Sequence, residues 1–151
     1  MRAWRLTATA HAATAFDGEG AARYGGRWNS HGVRMVYSAG SLALATLELA
    51  VHLTGGRVTY TAIEVEIDDS MIADLDPSGL RSSWRTNPSA TRRVGESWVR
   101  ASGSYGLRVP SALVDPRSGE SNLLLNPSHA GHATRQEIQR FRVTIDERLD
   151  R

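Results

Sequence analysis

With 151 residues, 40% hydrophobic and 23% charged, the chain is long enough for one domain with a real core, and no shift in composition marks a second. Its net charge of +2 comes from arginines spread along the chain rather than from a basic arm, which argues against direct contact with nucleic acid. There is no lysine and no cysteine, which excludes Schiff-base lysine, a lysine-bearing phosphate loop, disulfides, thiolate catalysis and zinc–cysteine sites.

No apolar run reaches membrane-spanning length, and Met1 is followed by Arg-Ala-Trp-Arg rather than by the apolar core of a signal peptide. A cytoplasmic protein without a membrane partner is expected. The span 1–151 reads as a single domain.

Met1 to Thr7 reads as a strand with Trp4 and Leu6 on one face. Ala8 to Gly20 is small, polar and aperiodic, and reads as a loop. It runs into Gly18 to Tyr37, where Gly18, Gly20, Gly25 and Gly26 precede Arg27. Glycines let backbone N–H groups come close to a ligand, and a guanidinium behind them can grip a phosphate or carboxylate through two parallel hydrogen bonds. The alternative is a glycine-rich surface loop with one solvated arginine. A short buried strand over Arg34 to Ser38 follows where a dinucleotide fingerprint would need a helix, so the Rossmann reading is weak.

Ser41 has the chemistry of an N-cap for a helix to about Leu53, closed by Gly55-Gly56 and apolar nearly all round, hence expected to be buried. Glu48 is its only charged residue, and His52 lies one turn on. A buried carboxylate needs a partner or a task. The alternatives are a Glu48–Arg pair or a position at the helix's wet edge.

Arg57 to Ile67 reads as a strand with Thr59, Thr61, Ile63, Val65 and Ile67 on one face, and its Glu64 and Glu66 read as solvated. Asn87-Pro88 signals a helix start, and the helix runs to about Ser102. The strand from Leu107 to Val114 is broken at Pro110, which aims Ser111 out of the sheet. Asn122 to Leu125 is a further strand ended by Asn126-Pro127, Ser128 to Arg135 a loop, and Phe141, Val143 and Ile145 alternate in a closing strand. There is no H-E-x-x-H and no G-x-S-x-G, so no metal site and no serine-hydrolase elbow are expected.

Five stretches carry a likeness: GGRWNSHG (25–32), MVYS (35–38), SLALATLE (41–48), VPSALV (109–114) and NLLLNPSH (122–129). In this order they resemble the RES-domain toxins of bacterial toxin–antitoxin pairs. The chain departs from the family pattern at Leu123, where an aromatic is common, and at Ala130, where a proline is. The resemblance implies an α+β fold, a mixed sheet with flanking helices similar to ADP-ribosyltransferases. It implies an enzyme that breaks the nicotinamide–ribose bond of NAD by hydrolysis or phosphorolysis, with NAD as substrate, inorganic phosphate as second substrate in the phosphorolytic case, and no prosthetic group.

The catalytic positions it implies are Arg27, Tyr37, Glu48 and Ser111. Contacts to NAD fall on Gly26, Arg27, Trp28, Asn29, Tyr37 and Asn126, with Tyr37 and Trp28 as aromatics for the nicotinamide ring. Nicotinamide departs neutral, so a single carboxylate can suffice where an ordinary glycosidase needs two. The implied partner is a helix-turn-helix antitoxin that blocks the site, and a homodimer is left open. The competing expectations are an ADP-ribosyltransferase acting on a macromolecule and a non-catalytic binding domain.

Overall fold

Seven segments form strands: β1 (Arg2–Ala8), β2 (Val36–Ala39), β3 (Tyr60–Glu66), β4 (Ile72–Asp74), β5 (Gly106–Pro110), β6 (Ser121–Leu125) and β7 (Gln136–Val143). In the computed structural model, which describes residues 1–53 and 58–149, they make one sheet in the order β4-β5-β6-β2-β1-β3-β7. Only β4 and β5 run parallel; the other neighbours are antiparallel. With α1 (Glu19–Tyr24), α2 (Leu42–Ala50) and α3 (Pro88–Ala101) added, the architecture is α+β with a mixed sheet, consistent with an ADP-ribosyltransferase-like fold.

Cross-strand register places Trp4, Tyr37, Ala39, Leu107, Val109, Asn122 and Leu124 on one face of the sheet. Both long helices pack on this face. α2 puts Leu44 and Ala45 against Leu6, Ala39 and Ala62, while Val94 and Trp98 of α3 join Trp28, Met35, Leu107, Val109 and Leu124. Phe16, Met71, Ile72 and Tyr105 cover the other face over Ala3, Val36, Ile63, Val65, Leu123 and Leu125. Tyr37 and Asn122 thus lie on the sheet face that carries both helices.

The caps formed as their residues required. Ser41 accepts from the N–H of Leu44 at 3.1 Å, and Asn87 accepts from Ser89 at 3.1 Å ahead of Pro88. Several expectations are corrected. The stretch from Ala8 to Gly20 is not open loop: a 3-10 turn (Thr9–Thr14) buries Ala12, and Ala15 and Phe16 reach the core. Helix α1 interrupts the glycine stretch, bounded by Gly18 at φ 72° and Gly25 at φ 69°. Helix α2 ends at Ala50 and is not buried all round, because a helix lying on one sheet face hides one stripe, here Leu44 and Ala45, and leaves Leu47 and Val51 exposed. The expected Gly55-Gly56 stop and the Arg57 strand start lie outside the described residues. Glu64 is 4% exposed rather than solvated, since β3 lies between β1 and β7, and it is held by Arg2 and Gln139. Ile145 falls beyond β7.

Gly95 fixes how closely α3 approaches the glycine loop, because a Cβ there would collide with the Trp28 carbonyl oxygen. Glycine inside a helix ordinarily costs about 1 kcal/mol relative to alanine. Here the steric term wins, and Gly95→Ala is expected to destabilise the fold by about 1–3 kcal/mol, read as a lower urea midpoint.

Candidate active site

The glycine loop is held from two sides. From the sheet, the Tyr37 hydroxyl accepts from the N–H of Trp28 at 2.9 Å and donates to Asn29 Oδ1 at 2.7 Å. A side chain at Gly26 would meet that hydroxyl at 2.5 Å, so only glycine fits. From α3, Thr91 donates to the Arg27 carbonyl at 2.6 Å, Arg92 to the Gly26 carbonyl at 2.8 Å, and Glu96 accepts from the N–H of Ser30 at 2.8 Å. Burial pushes the Tyr37 phenol up to about 12, against the opposing pull of the Trp28 N–H and of the Arg92 and Arg27 charges. The phenol is therefore neutral at physiological pH and cannot serve as a base there.

Three expected ligand contacts are corrected by this arrangement. Trp28 is 2% exposed and sits among Leu107, Val109 and Leu124 with Trp84 at 6.4 Å, so it offers no free ring face. Asn29 is fully buried, and its amide donates to the carbonyls of Ala21, Ser30 and Val33. The N–H of Gly26 is taken by the Asn29 carbonyl at 2.9 Å, so it is not open to an anion.

Glu48, half-buried on α2, meets Ser111, which follows the break at Pro110. Its Oε1 accepts from Ser111 Oγ at 2.7 Å and also from Asn122 Nδ2 at 2.6 Å. Ser111 Oγ in turn accepts from the N–H of Leu113 at 3.0 Å. Among the described residues no arginine forms an ion pair with Glu48. His52 lies past the end of α2 and is exposed.

Arg27 does not touch Glu48. Its Nη1 donates to the Trp84 carbonyl at 3.0 Å. Arg85, next in the chain, donates to the carbonyls of Ala112 at 2.9 Å and Val114 at 3.2 Å. The Trp84 carbonyl and the Arg85 guanidinium thus link the arginine of the glycine loop to the turn that carries Ser111, the two halves of the expected site. Two surface depressions of about 420 and 370 Å³ lie elsewhere: one beside Ser41, Arg108 and Glu120, the other beside Arg34, Glu96 and Arg100.

Asn126 is not part of this group. It is 1% exposed, accepts from the N–H of Ser128 at 3.0 Å and donates to the Val99 carbonyl at 3.4 Å. It lies four residues beyond Asn122, about 13 Å along an extended chain, and acts as the turn residue before Pro127. The sequence reading passed over Asn122, Trp84 and Arg85. For Asn122 a signal existed, a polar residue in register with Leu124 on the buried face of an apolar strand; for Trp84 and Arg85, in a segment without periodicity, there was none.

Comparison with known proteins agrees with the fold and with the order of these elements. The RES domain family matches residues 2–148. A protein of Yersinia enterocolitica called Toxin Res is 36% identical over 99% of this chain and 99% of its own length. The Prs ADP-ribosylating toxin of a Sphingobium species is 37% identical over 83% of this chain and 82% of its own. Among solved structures, the M. tuberculosis MbcT–MbcA toxin–antitoxin complex contains a chain that superposes with a TM-score of 0.75 at 22% identity, covering 95% of this chain and 84% of that one.

The raised Tyr37 pKa makes the fold sensitive to alkali. Between its ordinary value of 10 and about 12 the folded state holds a proton that the unfolded state has lost, so the Tyr37 contribution is complete below pH 10 and disappears as pH rises through 12. Tyr105, also raised by burial, acts in the same direction. Unfolding midpoints measured from pH 9 to 12 should therefore fall, and fall less steeply in Tyr37→Phe.

Proposed function

The chain belongs to the RES domain family, and on that premise we propose that it is the toxin of a toxin–antitoxin pair, an enzyme that depletes NAD by breaking the nicotinamide–ribose bond. The observation that carries this reading is the state of Glu48. It is a half-buried carboxylate held through one oxygen by two neutral donors, with no cation against it among the described residues. An unneutralised carboxylate in such a place can stabilise positive charge that develops on a sugar.

In the proposed reaction the C1′–N bond of the nicotinamide riboside breaks, and its electron pair goes to the pyridinium nitrogen. The leaving group departs neutral, so no general acid is required and one carboxylate suffices. Glu48 steadies the oxocarbenium-like ribose through the oxygen that its neighbours leave open. An oxygen of water or of inorganic phosphate then bonds to C1′, and the acceptor's proton is lost to solvent. Arg27 is assigned to the NAD pyrophosphate, exchanging the Trp84 carbonyl for a phosphate oxygen; two parallel bonds from the guanidinium to an anion are stronger than its single bond to a neutral carbonyl. Arg92, bonded to the Gly26 carbonyl, adds positive charge at the same loop, and Arg85, bonded to the carbonyl of Ala112, adds it at the turn that carries Ser111. Tyr37 is assigned to holding the loop.

A cognate antitoxin is proposed as partner, supported by the toxin–antitoxin complex that the fold matches and by exposed apolar side chains of Leu47, Val51 and Leu113 that border Glu48 and Ser111. Among the described residues no helix is long and apolar enough to cross a membrane, in keeping with action in the cytoplasm. A second reading, transfer of ADP-ribose to a macromolecule, is favoured by the name of the Sphingobium relative.

Purified protein incubated with NAD, with and without phosphate, is expected to release nicotinamide; folded protein that releases none in either buffer refutes the enzyme. Adenine-labelled NAD separates the two readings, since label retained on a protein or nucleic acid would establish transfer. Glu48→Gln should lower kcat by about 100- to 1000-fold, in line with loss of one preorganised electrostatic group. Arg27→Lys, which keeps the charge but loses the planar fork, should mainly raise KM for NAD, measured by initial rates over a range of NAD concentrations.

A further inference from the structure

In the reading above Asn122 is no more than a neutral donor to Glu48, yet it makes one of the shortest side-chain hydrogen bonds of the site, 2.6 Å from Nδ2 to Glu48 Oε1. Its own Oδ1 is buried and has no partner among the described residues. Rotating the amide would not relieve this, because it would set Oδ1 against a carboxylate oxygen, acceptor against acceptor. The residue is thus held for its donor while its acceptor goes unsatisfied, on a strand face where leucine would be the apolar choice.

The support behind it is rigid. β6 lies between β5 and β2, and Asn122 is in direct register with Val109 on one side and Ala39 on the other. Ser111, the other donor to the same oxygen, stands on a separate support: the turn after β5, pinned by the Leu113 N–H and by Arg85. Two independently anchored donors therefore converge on Oε1 and leave Oε2 without a protein partner among the described residues.

We infer that Asn122 is a positioning residue: together with Ser111 it fixes the rotation of the Glu48 carboxylate so that Oε2, the oxygen left free, faces the ribose. This rests on the proposed NAD chemistry. It predicts a separation between fold and rate. Asn122→Leu removes an unsatisfied buried oxygen, so its unfolding midpoint should match or exceed that of the unsubstituted chain. Its kcat should nevertheless fall about 10- to 100-fold, the scale of a small misplacement of a reacting group, with KM for NAD changed less than about threefold. In Asn122→Asp the new carboxyl can donate only when protonated, and a neighbouring carboxylate favours that form. Its kcat relative to the unsubstituted chain should therefore recover as pH is lowered from 8 to 5.

The decisive measurement is nicotinamide release by the three proteins across that pH range, with unfolding midpoints alongside. Loss of kcat in Asn122→Leu at an unchanged or higher midpoint, with an acid-side recovery in Asn122→Asp, establishes the role. A kcat within twofold of the unsubstituted chain in Asn122→Leu, or a ratio for Asn122→Asp that stays flat with pH, overturns it and leaves the NAD reading standing. No nicotinamide from the unsubstituted chain overturns both.

Discussion

The Tyr37 hydroxyl ties the glycine loop to the sheet. A loop rich in glycine has little apolar surface with which to anchor itself, and its order has to come from hydrogen bonds made elsewhere. Tyr37 projects from a strand in the middle of the sheet, accepts from the Trp28 N–H and donates a hydrogen bond to Asn29, whose amide donates to three further carbonyls. Gly26 is where this can happen, because a side chain there would occupy the place of the hydroxyl. With the loop closed in this way, Trp28 is driven into the core and Arg27 is presented at its edge. Residues that look like ligand contacts in a one-dimensional motif thus divide into one at the edge of the loop, Arg27, and three that hold the loop together, Gly26, Trp28 and Asn29.

The electrostatics of the site follow from what its charged groups are bonded to. Arg27, Arg85 and Arg92 donate to backbone carbonyls, and Glu48 accepts from a hydroxyl and an amide. None of these charges is neutralised within the described part of the fold, whereas Arg34, Arg117, Arg140 and Arg148 are paired with acidic residues on the surface. Exposed pairs of that kind contribute about 0–1 kcal/mol each and do little to define the structure. Keeping these opposite charges apart costs the fold that gain. Trp84 and Arg85 span the separation, the first occupying Arg27 with its neutral carbonyl and the second bracing with its guanidinium the turn that holds Ser111.

Much of this was legible in the sequence because it is local. Ser41 and Asn87-Pro88 announce helix starts through side chains that bond their own neighbours, and Pro110 announces the break that turns Ser111 out of its strand. An isolated carboxylate in an apolar helix marks Glu48, whatever its partner proves to be. The order of these elements, with the likeness it carries, was enough for the α+β class and the family. The reading erred where burial depends on neighbours far away in the chain. Glu64 looks solvated until β7 closes over β3, and α2 looks buried until the sheet is seen to cover one side of it only.

By itself, then, the sequence determined which residues could cap, break and carry charge, since those properties reside in a side chain and the few residues beside it. Only the tertiary structure decided which of them meet. Glu48 and Asn122 are 74 positions apart, and Arg27 reaches Trp84 across 57. Such contacts are set by strand register and by the packing of helices on one sheet face, and neither is written in any single stretch of chain.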